Sequence, residues 1–189
     1  AGQSPAKKSE LIRMLREESQ RVGSLVQDFL QLSRHRQPDF ASIDPALPME
    51  RALATALAGR DNIRIQRQVQ HNAARIMADA GLLQQAWGNI LTNAMQALGG
   101  QGGELYVSTS RVNGQVLLSI EDSGPGIAAE VMPRLFEPFF TTKEQGTGLG
   151  LSLANTLVEA NGGKLEVLPP EHGGARFAMR FVLYPGPET

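Results

Sequence analysis

Asn89 and Asn93 stand four residues apart in a stretch otherwise suited to a core. Leu83, Ala86, Trp87, Ile90, Leu91, Ala94 and Leu98 recur at helical spacing around them. On a helix over 79–98 the two asparagines stack on the opposite side from that apolar stripe. Asparagine is a mediocre helix former, because its side chain competes for backbone hydrogen bonds. A solvated face would tolerate the pair. The chemical reading is that their amide oxygens face Mg²⁺ and phosphate oxygens. Mg²⁺ is a hard cation that takes few oxygen ligands from protein and fills the rest with phosphates and water.

Three further segments suit the rest of such a ligand. Asp122 follows a predicted strand and precedes Ser-Gly-Pro-Gly-Ile. A carboxylate there can accept a hydrogen bond from the exocyclic amine of adenine. Gly124 and Gly126 remove side chains where the backbone must approach a flat base. An ordinary Asp-rich turn has the same composition. Gly146-Thr147-Gly148-Leu149-Gly150 leads into a helix, and free N–H groups at a helix start favour phosphate. No Gly-Lys-Ser/Thr follows, so it is not a Walker A loop. No strand leads directly into it, which excludes a dinucleotide fingerprint. Between these lies Phe136-Glu-Pro-Phe-Phe-Thr-Thr-Lys143, read as a short lid anchored by aromatics. Lys143 then either reaches the outer phosphates as a point charge or is simply solvated.

These residues need elements to hold them. Residues 46–58 read as a short alanine-rich helix, and 63–69 as a strand with which 75–77 is expected to pair. Asp79 is the expected N-cap of the helix over 79–98, and Gly99-Gly100 its stop. Residues 104–111 and 115–121 form a hairpin about Asn113-Gly114. A helix over 147–160 ends at Asn161-Gly162-Gly163, and strands over 164–168 and 175–183 close the chain. The fold class expected is α+β. It is a two-layer α/β sandwich with a mixed sheet of about five strands and helices on one face.

One long bundle-forming helix precedes this unit. Over 7–36, Leu11, Leu15, Val22, Leu25, Phe29 and Leu32 step by fours and threes, with Glu18 in the single polar slot. Ile12, Val26 and Leu30 widen the stripe, as in a four-helix bundle. One helix cannot cover it alone, so a homodimer through 7–36 is expected. The divisions are 1–37 for this helical part, 38–45 for a linker and 46–189 for the nucleotide-binding domain.

The 189 residues are 41% hydrophobic, enough for a core, and carry a net charge of −1. Nothing argues for a nucleic-acid or membrane surface. No apolar run approaches the roughly 18 residues needed to span a bilayer. The chain has no cysteine, which excludes thiolate metal sites and disulfides and fits a cytoplasmic setting.

In this order and spacing the four segments resemble the N, G1, F and G2 boxes of two-component sensor histidine kinases. That family shares a superfamily, GHKL, with DNA gyrase and MutL. The match covers roughly 39–185 and is closest to the short-lid subgroup of nitrogen- and pilus-response sensors. Residues 7–36, ending Leu-Gln-Leu-Ser-Arg, resemble the second helix of the dimerisation and phosphotransfer hairpin. The resemblance implies ATP and Mg²⁺ as ligands. Asn89 and Asn93 would lie at the metal and phosphates, Asp122 at adenine beside Gly124 and Gly126, and Gly146, Gly148 and Gly150 at the lid. It further implies transfer of the γ-phosphoryl to a histidine, then to the receiver domain of a response regulator. One departure is plain. The family's phosphoacceptor histidine precedes an acidic residue, whereas His35 precedes Arg, His71 precedes Asn and His172 precedes Gly. The histidine-bearing hairpin helix is therefore expected to lie outside this sequence, so the fragment by itself should not autophosphorylate. The alternatives are a superfamily ATPase clamp, which carries Glu where Asn89 stands, and a non-enzymatic nucleotide-sensing dimer.

Overall fold

The computed structural model describes residues 8–16, 18, 19, 22, 23, 26, 37–71, 74–143 and 146–185. Residues 8–16 are helical (α1), as are 18, 19, 22, 23 and 26. Leu25, Phe29, Leu30 and Leu32 of the expected stripe lie outside the described residues. The following elements are β1 (Ala41–Ile43), α2 (Ala46–Leu57), β2 (Ile63–Gln68), β3 (Ile76–Ala78) and α3 (Ala80–Leu98). Then come β4 (Gly103–Val112), β5 (Gln115–Asp122), α4 (Gly150–Ala160), β6 (Lys164–Leu168) and β7 (Arg176–Val182).

Five strands make one sheet in the order β2-β4-β5-β7-β6. Only β2 and β4 run parallel, so the sheet is mixed. Alternation sends Leu105, Val107, Leu118, Ile120, Phe177 and Met179 into a core shared with α2, α3 and α4. The other face carries Tyr106, Ser108, Ser119, Glu121 and Arg180. Ser108 and Ser119, paired across β4 and β5, hydrogen-bond through their hydroxyls at 2.8 Å. Asn113 and Gly114 both have positive φ, 50° and 75°, as a two-residue hairpin turn of this twist requires.

α3 is the spine. It buries Leu83, Ala86, Trp87, Ile90, Leu91, Ala94 and Leu98, the residues its periodicity singles out. Asp79 caps it, its Oδ1 accepting the N–H groups of Gly81 and Leu82 at 2.8 and 3.1 Å.

Three local expectations change. The residues expected over 75–77 to join β2 instead form β3, which pairs antiparallel with β1 in a separate two-stranded sheet. β1 itself arises inside the expected linker. Short strands carry little periodic signal, and only the tertiary pairing of residues 41–43 with 76–78 defines these two. α4 begins at Gly150 rather than at 147, because Gly148 has φ of +70°, outside the helical range.

Candidate nucleotide site

α3, residues 131–143 and 146–148, and the start of α4 line a cavity of about 360 Å³. Asn89, Thr92, Asn93 and Gln96 line one wall. They occupy one face of α3 by spacing of three and four, which is why the fold presents them together. Lys143, Gly146, Thr147, Gly148 and Gly150 also line the cavity, and Val131, Leu135, Phe140 and Leu151 supply apolar surface. Among the described lining residues none is Asp, Glu, His or Cys.

Lys143 organises the polar wall. Its Nζ donates to Asn93 Oδ1 at 2.7 Å and to Gln96 Oε1 at 2.8 Å. Burial pushes its ammonium below the usual lysine range, and the negative charge of Asp122 acts against that. Asn89 Nδ2 is buried and lacks a hydrogen-bond partner. A buried donor left unmatched costs roughly 1–3 kcal/mol, which an acceptor entering the cavity would recover. The wall thus has amide oxygens already gathered on a cation and an amide donor awaiting an anionic oxygen. Both suit a polyphosphate with a hard metal ion.

Asp122, Gly124 and Gly126 do not line the cavity but form the turn at the end of β5. Asp122 is 1% exposed, and its Oδ1 accepts the Gly124 N–H at 2.9 Å. Burial raises its carboxyl above the usual range, and the hydrogen bonds with Gly124 and Ala175 oppose this. A Cβ on Gly124 would sit 2.7 Å from Asp122 Oδ1 and 3.1 Å from Ala97 on α3. The turn is therefore pressed against the helix that carries the asparagines.

The segment expected as a lid is joined to the second glycine-rich segment through its backbone. Phe139 donates its N–H to the Gly148 carbonyl at 2.9 Å. A Cβ on Gly148 would lie 2.4 Å from the Phe139 carbonyl carbon, so only glycine permits this approach. The aromatics do not act as one anchor. Phe140 lines the cavity beneath the Arg134 guanidinium, 4.3 Å from its ring centroid, whereas Phe139 is 65% exposed with φ of +66°. Leu149 is wholly buried and donates its N–H to Thr147 Oγ1 at 3.3 Å, so its side chain belongs to the core. Thr92 and Gln96 were not singled out from sequence. The signal was present, since both continue the face of Asn89 and Asn93. Val131 and Leu135 carried none, because tertiary folding alone brings that segment over α3.

Residues 78–185 match the family model described as histidine kinase-, DNA gyrase B-, and HSP90-like ATPase. The chain belongs to that ATPase family. Within it the chain is similar to sensor histidine kinases. It is 33% identical over 172 residues to sensor histidine kinase ZraS of Escherichia coli O157:H7, which covers 90% of this chain and 37% of ZraS. It is 32% identical over 178 residues to sensor protein kinase PilS of Pseudomonas aeruginosa, covering 91% and 33%. The full-length ShkA structure in complex with AMPPNP superposes with a TM-score of 0.73 at 28% identity, over 99% of this chain and 42% of that one. The chain spans about a third of the length of these curated relatives.

Proposed function

We propose that this chain binds MgATP and serves as the catalytic part of a sensor histidine kinase. The observation that carries this reading is the Lys143 ammonium held between Asn93 Oδ1 and Gln96 Oε1 beside the unmatched Asn89 Nδ2. Asn89 and Asn93 are the residues that would hold Mg²⁺ and phosphate oxygens, and the gathered amide oxygens fit that donor chemistry. Mg²⁺ when bound supplies neutralisation of phosphate charge. Gly146, Thr147, Gly148 and Gly150 cradle the phosphate tail with backbone and hydroxyl donors, and Asp122 accepts from adenine.

The described cavity walls offer no histidine and no carboxylate, and an amide at position 89 cannot take a proton from water. The protein's part is positioning: it holds the γ-phosphoryl in line with a histidine imidazole on the partner hairpin helix. The phosphorus–oxygen bond to ADP breaks as a phosphorus–nitrogen bond forms. The phosphoryl group then passes to an aspartate on a response-regulator receiver domain. Similarity to sensor histidine kinase ZraS and sensor protein kinase PilS supports this assignment.

The test is radiolabelled ATP with this chain alone, then with an added helical hairpin bearing the histidine followed by an acidic residue. Acid-labile label on the hairpin alone is expected. Label on His35, His71 or His172 would overturn the reading of those histidines. Steady phosphate release without hairpin labelling would favour an ATPase clamp.

A further inference from the structure

Glu121 is buried on the sheet face opposite the helices, and the nucleotide reading does not use it. It is 2% exposed. A carboxylate so placed must be matched by donors. Its Oε2 accepts the backbone N–H of Glu171 at 3.1 Å, and its Oε1 accepts that of His172. Both donors come from the loop joining β6 to β7. The His172 ring stacks on Tyr106, with centroids 3.7 Å apart and planes within 8°. Tyr106 and Arg176 are the cross-strand neighbours of Glu121 on either side, and Arg176 pairs with Glu171.

The same loop ends against the turn that carries Asp122. Gly174 has φ of +73°, and a Cβ there would lie 1.9 Å from the Asp122 carbonyl oxygen. A Cβ on Gly126 would lie 3.1 Å from the Gly174 carbonyl oxygen. The Asp122 N–H donates to Ala175 O at 3.0 Å. One side of the loop is thus fastened by Glu121, and the other bears on Asp122 and Gly126.

We propose that Glu121 is a positioning residue for the base side of the site: it buckles the loop over 169–174 to the sheet, so that Gly174 holds the turn from Asp122 to Gly126 in its binding geometry. This rests on the reading of that turn as the adenine site. Glu121 acts through the loop, from the face of the sheet opposite to Asp122, and it does not touch the phosphate wall. Its loss should weaken recognition of the base and leave recognition of the phosphates intact.

Calorimetry with ADP and with tripolyphosphate, both with Mg²⁺, separates the two. Glu121→Ala should lose about tenfold in ADP affinity, the weight of a charge-assisted hydrogen bond, with tripolyphosphate affinity unchanged. Glu121→Gln should fall between, because its amide oxygen still accepts one N–H. Glu166→Gln, a carboxylate on the same face that pairs with Lys164 and Arg180 rather than with the loop, should stay within about twofold. If Asp122→Ala loses ADP affinity while Glu121→Ala keeps it, the buckle fails and the adenine reading stands. If neither variant loses affinity, both fall. Equal weakening of both ligands by Glu121→Ala would mean general loosening and would also overturn the proposal. Should Glu121→Ala fail to fold, hydrogen exchange in the parent protein decides. The amides of Glu171 and His172 should slow with ADP and not with tripolyphosphate, and any other pattern counts against the buckle.

Discussion

Asp122 is a buried carboxyl whose ionisation the fold makes costly, and an adenine amine is the donor that would offset the cost. Asp122→Ala is expected to lower ADP affinity roughly ten- to hundredfold, the range of a hydrogen bond to a charged group. Calorimetry with ADP and GDP checks this, and equal affinity for the two would remove the assignment. The raised carboxyl also has a pH consequence. Its folded pKa lies above the unfolded value, so the group draws stability from the protein as pH rises from the unfolded to the folded pKa. Asp122→Asn should therefore be more stable than the parent at neutral pH, with the difference vanishing in acid below the unfolded value. Thermal melts across pH read this directly. Asn93 acts differently. It is half-exposed, and its oxygen is committed to Lys143. Asn93→Ala should weaken the Mg²⁺-dependent part of ATP binding while leaving the helix as stable or more so, alanine being the better helix former. A fall in melting temperature with intact nucleotide affinity would assign Asn93 a structural role instead.

Helix ends and loops decide how these side chains are held. Asp79 does more than cap α3. Its Oδ2 accepts the Asp39 N–H at 3.0 Å, and its own N–H donates to Asn161 Oδ1 at 2.7 Å. Asn161 in turn donates to Leu157 O at 2.8 Å, so the start of α3 and the end of α4 share one buried joint. That joint sets the spacing of the two helices that bound the cavity. The segment expected as a lid is tied to α3 through the Lys143 side chain. Between Phe140 and Leu149 the described residues have no apolar side chain to bury, and local bonds such as Gly146 N–H to Lys143 O at 3.2 Å hold them. Amides of 141–143 and 146–147 should exchange quickly in the free protein and slow when MgATP binds. Unchanged exchange at saturation would argue against a lid.

As a whole molecule the chain joins a well-buried α/β unit to a helix that covers little. Leu11, Ile12, Met14, Leu15, Val22 and Val26 are 49–63% exposed. Such a stripe on an isolated helix favours association. Sedimentation should show a concentration-dependent dimer or larger bundle. Leu15→Lys combined with Val22→Lys should shift it toward monomer while leaving ADP affinity unchanged. A monomer at high concentration in the parent protein would overturn the association. No helix among the described residues is long and apolar enough to cross a membrane.

From the sequence alone, periodicity determined α3 residue by residue, Asn113-Gly114 placed the hairpin, and the order of Asn, Asp and Gly segments pointed to an adenine nucleotide. These are local signals, set by side-chain spacing and by the backbone preferences of a few residues. Tertiary structure decided what depends on contacts distant in sequence. β1 and β3 exist only because each pairs with the other. Leu149 stands within a motif expected to face a ligand yet is buried, since burial depends on what packs over it. Gln96 joined the site because Lys143, 47 residues away, reaches it. Glu121 looked like an ordinary strand residue. Its weight comes from two N–H groups that the chain delivers 50 and 51 residues later, a meeting that no local pattern encodes.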